Sequence, residues 1–111
     1  MKRLLLVTLL TAAFSTSHAQ VNTGLLTCVP SLRAAPQFSV QFFGSQARLT
    51  LKANVFTVPF INAKVDKNGD RWSIYENNEI RVATTIPNDQ YVSVGSGSSD
   101  NYAVIAGAFC K

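Results

Sequence analysis

The stretch "QARLTLKA" (46–53) alternates with a period of two. Ala47, Leu49, Leu51 and Ala53 fall on one face, and Arg48, Thr50 and Lys52 on the other. Successive side chains of an extended chain point to opposite sides, so the pattern is that of a strand with one buried and one wet face. Almost everything after Gln20 follows the same rule. "QFSVQF" sets Phe38, Val40 and Phe42 on one face, and Gly44-Ser45 separates this run from the next. Glycine first in a two-residue loop suits a type II′ turn, which predicts a tight hairpin here.

"NVFTVPFINAKV" (54–65) reads as strand with a change of phase at Pro59. Phe56, Val58 and Phe60 share one face, while Ile61, Ala63 and Val65 start another. Proline has no N–H for a ladder, so a bulge or an edge position is expected there. "DKNGD" (66–70) is a strong turn. "RWSIY" places Trp72 and Ile74 in phase, and Asn77-Asn78 turn the chain. "EIRVATTI" alternates Ile80, Val82, Thr84 and Ile86 against Arg81, Ala83 and Thr85. "PNDQ" turns again, "YVSV" is a short strand, "GSGSSDN" (95–101) reads as a small flexible loop, and "YAVIAGAFC" is the last strand. Helical period is absent beyond one turn in "SLRAAP" (31–36). Short strands joined by tight turns predict an all-β fold, a small antiparallel barrel of about eight strands in meander order.

The first residues set the compartment. Lys2 and Arg3 precede the apolar run Leu4 to Phe14, and Ser17-His18-Ala19 offers small residues where a signal peptidase cleaves. The run is shorter than the roughly 20 residues of a transmembrane helix. Cleavage after Ala19 is expected, leaving residues 20–111 as one domain with no stable membrane anchor. Cys28 follows a polar stretch and Thr27, which argues against lipidation. Export into an oxidising space, periplasmic or extracellular, turns an even pair of cysteines into a disulfide. Cys28 and Cys110 lie near the two ends of the domain. A bridge between them closes a loop of roughly 80 residues and locks the first strand to the last.

Charge and residue types limit the chemistry. Without Lys2 and Arg3, eight basic residues face six acidic ones, a balance of +2 with no long run of one sign. That is surface solvation, with no nucleic-acid footprint. The sole histidine, His18, leaves with the leader. No imidazole then remains to activate a serine, and two cysteines without histidine do not complete a zinc shell. Asp66 with Asp70, and Glu76 with Glu79, flank turns, where acids are normally held in water rather than set across a cleft. "DKNGD" lacks the later ligands and terminal glutamate of a calcium loop. The expectation is a binding protein, not an enzyme, with no cofactor and no metal. Trp72 and most phenylalanines are core by phase; Phe43, beside the turn, breaks alternation and is expected to be exposed. Ser96, Gly97, Ser98 and Ser99 form a secondary candidate contact loop.

The order of a cysteine in the first strand, an apolar strand, "ARLTL", another strand and the turn "NGDRW" resembles the periplasmic and membrane-bound inhibitors of C-type lysozyme. Those are small eight-stranded barrels exported by Gram-negative bacteria, often with a disulfide near the two ends. Their marker is a Ser-Gly-rich turn closing in Gly-x-Arg-Tyr that enters the lysozyme cleft. Gly69, Asp70, Arg71 and Trp72 match Gly-x-Arg-aromatic, with Asn68 where the family has serine. A second family loop supplies a lysine; "YENNEIRV" has Asn77 and Asn78 there. The resemblance implies a partner-binding site at Lys67, Asn68, Gly69, Asp70 and Arg71 and a C-type lysozyme as partner. Arg71 would bridge to the partner's carboxylates. Two further readings remain open: a barrel holding a small apolar ligand, and an immunity or structural envelope protein.

Overall fold

The computed structural model describes residues 20–98 and 101–111; the leader and Ser99 of the secondary loop lie outside the described residues. Among the described residues nine strands follow one another: β1 (Val21–Asn22), β2 (Leu26–Cys28), β3 (Phe38–Gly44), β4 (Gln46–Leu51), β5 (Asn54–Val65), β6 (Arg71–Glu76), β7 (Ile80–Thr84), β8 (Tyr91–Ser98) and β9 (Asn101–Phe109). They form an antiparallel meander from β3 to β9, with β1 and β2 both paired to β3. No helix among the described residues is long and apolar enough to cross a membrane.

The alternation of the first hairpin holds. Phe38, Val40 and Phe42 are buried on β3, and Ala47, Leu49 and Leu51 on β4. Each fully buried aliphatic or aromatic side chain contributes about 1.5–3 kcal/mol. The connection differs from the expected II′ turn. Ser45 N–H donates to the Phe43 carbonyl at 2.9 Å, a three-residue turn about Gly44, whose φ is +75°. Gly44 is not a spare loop residue, because it pairs with Val21 of β1. The buried face of β4 stops at Leu51: Ala53 is exposed in the next turn, where Lys52 takes φ +57°.

The phase change at Pro59 has a structural counterpart. Residues up to Pro59 pair with β4, those from Phe60 on pair with β6, and the register shifts between Phe60 and Asn62. Ile61 is the unopposed residue, and beyond it Ala63 and Val65 are exposed rather than starting a second buried face. Inside, Phe42 and Phe60 pack on Tyr75 with ring centroids 5.2 and 5.4 Å away. The Tyr75 hydroxyl donates to the Gly44 carbonyl (2.7 Å) and accepts the Val21 N–H (3.0 Å), and burial pushes its pKa up. Val82, Val92, Val94, Ala106 and Ala108 complete the core from β7, β8 and β9.

The meander does not close into a barrel by strand pairing. Its ends meet at an isolated bridge, where Thr27 and Lys111 exchange backbone hydrogen bonds of 2.7 and 3.0 Å beside the Cys28–Cys110 disulfide. β2 has three residues, and the chain leaves it at Val29-Pro30, where proline cannot extend a ladder. The ladder partner of β9 is therefore β8 alone among the described residues. The 95–101 stretch is corrected as well. It is not one loop, because β8 runs to Ser98 and β9 begins at Asn101.

Candidate functional site

The turn between β5 and β6 is organised by a single carboxylate. Asp66 Oδ1 accepts the N–H of Asn68 (2.9 Å) and of Asp70 (3.0 Å), and Oδ2 accepts the Trp72 indole N–H at 3.0 Å. The backbone closes the same loop: Gly69 N–H donates to the Asp66 carbonyl and Asp66 N–H to the Asp70 carbonyl. The indole bond first, and then these backbone donors, hold the Asp66 pKa below its usual value. Gly69 is left-handed (φ +87°), whereas Asn68 is not, so the turn is a four-residue turn, Asp66 to Gly69, that ends on a left-handed glycine rather than the two-residue Asn-Gly type. Lys67, Asn68, Gly69, Asp70 and Arg71 are all exposed; the first four lie on the ordered turn and Arg71 opens β6 beside it, paired with Val65.

The secondary loop is tied down on one side. Gly97 N–H donates to the Glu79 carbonyl at 3.0 Å, fastening the β8–β9 hairpin to the β6–β7 turn. Ser96 is exposed, while Gly97 sits at φ +98°. In the β6–β7 turn, Asn77 Oδ1 caps the N–H groups of Glu79 and Ile80.

Between these two features, on the outer face of the sheet, lies a slot of about 260 Å³. Trp72 and Tyr102 are among its walls, Ile74, Ala83 and Ser93 belong to its floor, and Lys64 and Asp66 reach it from β5 and the turn. Trp72 and Ile74 share a face as their phase predicts, but it is this face and not the main core. Trp72 stands edge-on to Tyr91 (6.0 Å), and Tyr91 to Phe109 (5.0 Å). Phe109 is 68% exposed, against the expectation that Phe43 (44% exposed) is the exception among the phenylalanines.

Alternation placed Arg81 outward and Glu76 in a wet turn. Both are instead nearly buried, with side-chain exposures of 7% and 10%, and are joined at 3.0 Å. The Arg81 guanidinium also lies 4.4 Å from the centre of the Tyr102 ring. The strands explain why. Glu76 and Arg81 are directly opposed across the β6–β7 hairpin, and the β8–β9 hairpin lays Tyr102 over them. Gly95 makes room, since a Cβ there would sit 2.7 Å from the Tyr102 ring. The signal in the sequence was Glu and Arg flanking a tight turn, which a hairpin register brings into a cross-strand pair.

Among the described residues no cluster of histidine, cysteine, aspartate and glutamate suits a metal ion. No protein-family model matches this chain, and no curated protein or solved structure matches it either.

Proposed function

We propose that this chain is an exported protein-binding module that presents the 66–71 turn to the cleft of a partner enzyme. The C-type lysozyme inhibitors it resembles are the guide to the partner. One observation carries the reading: the turn is ordered before any partner arrives, by the Asp66 carboxylate, while Lys67 on it and Arg71 beside it stay exposed. A pre-ordered loop loses little conformational entropy on insertion. Its two cations suit a cleft lined by carboxylates, and a guanidinium such as that of Arg71 can make a two-pronged bond to a carboxylate. The disulfide-pinned meander acts as the scaffold, a barrel-like body whose seam is the Cys28–Cys110 bridge, and a disulfide fits an oxidising compartment such as the periplasm. A ligand inside that body is the weaker reading, because Phe42, Phe60 and Tyr75 pack where it would sit.

The test is binding and inhibition of C-type lysozymes by residues 20–111. The parent should bind. Arg71→Ala should weaken binding by about 2 kcal/mol or more, roughly thirtyfold, with the fold intact. A parent that binds no C-type lysozyme removes the named partner. Equal binding by the parent, Arg71→Ala and Asn68→Ala removes the turn as the contact.

A further inference from the structure

The outer face of a sheet is normally its wet side, yet here it carries a nearly buried ion pair whose visible effect is to hold an exposed ring. Glu76 fixes Arg81, Arg81 lies under Tyr102, and Gly95 lacks the side chain that would push the ring away. The opposite wall is held as firmly: Asp66 fixes the Trp72 indole, and Tyr91 stands against its ring. The floor between the walls is Ile74 with two small side chains, Ala83 and Ser93. Two clamped aromatic walls over a low floor leave the slot open without a ligand to hold it so.

The slot is small and mixed in character. Its 260 Å³ falls below the roughly 300–1,000 Å³ of sites for drug-sized molecules, so it suits one ring-sized group. The aromatic walls favour a flat apolar surface. The polar residues Ser93, Tyr102, Asp66 and Lys64 belong to the same lining. A purely hydrocarbon ring would strip water from these groups and return nothing. A sugar ring has apolar C–H faces and a rim of hydroxyls, and so meets both demands.

We propose that this outer-face slot is a saccharide site that takes a single pyranose ring between Trp72 and Tyr102. It is separate from the partner-binding role of the turn, with Asp66 the residue common to both. Trp72 is the only tryptophan in the chain, which makes its fluorescence a direct reporter.

The experiment titrates residues 20–111 with glucose, N-acetylglucosamine and glucuronate, with p-cresol as a flat apolar control, and follows Trp72 fluorescence and the indole N–H resonance. At least one sugar should give a saturable change with a dissociation constant of about 1 mM, the strength open to so small a ligand. Ala83→Leu, which fills the floor, should abolish it. Tyr102→Ala should weaken it at least tenfold, and Tyr102→Phe should retain the stack and part of the affinity. Far-UV circular dichroism and the absence of free thiols establish that each variant is folded. Arg71→Ala should leave sugar binding unchanged, which separates this site from the turn. Absence of a saturable response to all three sugars overturns the proposal. So does saturable binding of p-cresol alone, which would make the slot an apolar side-chain pocket, or sugar binding that survives Ala83→Leu.

Discussion

Asp66 and Trp72 are linked across the β5–β6 hairpin by a 3.0 Å hydrogen bond from the indole Nε1 to carboxylate Oδ2. The other carboxylate oxygen holds the backbone of the turn. One side chain therefore sets both the shape of the exposed tip and the position of a wall of the outer slot. Loosening Asp66 loosens both.

That coupling has a pH signature. The folded-state pKa of Asp66 is depressed below its ordinary 3.8, so the carboxylate's contribution is complete above that value and is lost as pH falls through the lower, folded pKa. The Trp72 indole N–H and the Asn68 and Asp70 amides should stay constant by NMR from neutral pH down to the ordinary carboxylate value. They should then move together with one midpoint below it. Asp66→Asn should shift the indole resonance at all pH values and erase the shared titration. A midpoint at or above 3.8 would contradict the assignment.

Gly69 occupies a left-handed backbone with open space where a Cβ would point. Gly69→Ala therefore meets no clash, only the backbone penalty of about 1–2 kcal/mol. Urea unfolding should show that loss, with a smaller one for Gly69→Asn because asparagine tolerates this region better. Equal stability of the parent and the alanine variant would mean that the turn has another shape in solution.

The Tyr75 hydroxyl satisfies two backbone groups at once, the Val21 N–H and the Gly44 carbonyl. Tyr75→Phe keeps the ring and leaves both buried groups without this partner, so a loss of about 1–3 kcal/mol is expected. Hydrogen exchange at Val21 should quicken in the variant. An unchanged rate would show that the β1–β3 pairing does not depend on the hydroxyl.

Arg81→Met should cost about 3 kcal/mol, because it leaves Glu76 nearly buried without the cation it faces. The double variant Glu76→Leu, Arg81→Met should recover most of that loss in the same denaturation assay. A double variant no better than the single one would assign the loss to packing under Tyr102 instead of charge.

Replacing both cysteines by serine, Cys28→Ser with Cys110→Ser, should lower stability by about 2–5 kcal/mol while leaving the 66–71 turn intact when cold. Thermal melting measures the loss, and the Trp72 indole resonance reports the turn. Unchanged melting would make the bridge energetically idle.

The inner half of this fold was readable because burial there obeys a period of two. Phe38, Val40, Phe42, Leu49 and Leu51 fall on the core side in the structure as they do in the string. The change of phase just after Pro59 marked where β5 leaves β4 for β6, with the register shift at Ile61. The outer face was not readable in the same way. Arg81 sits in the outward phase and is buried only because a second hairpin, far along the chain, folds Tyr102 over it. The composition of "GSGS" reads as loop, whereas Gly95 is small to let that ring pass. Long-range layering of this kind leaves no local period. The tip residues 67–71 were legible as a turn, but the role of Asp66 as its organiser depends on where Trp72 returns on the next strand.

The covalent bridge also decides how the molecule carries mechanical load. Cys28 and Cys110 are 82 residues apart, and β3 to β9 all lie between them. A pull applied at Gln20 and Lys111 passes straight across the sulfurs and reaches only β1, β2 and the short tails outside the loop. The chain should then yield by peeling β1 from Gly44 and go no further, while the turn and the slot bear no tension. Tethered at Gln20 and Lys111, this stretch behaves as a short rope with a rigid knot in it.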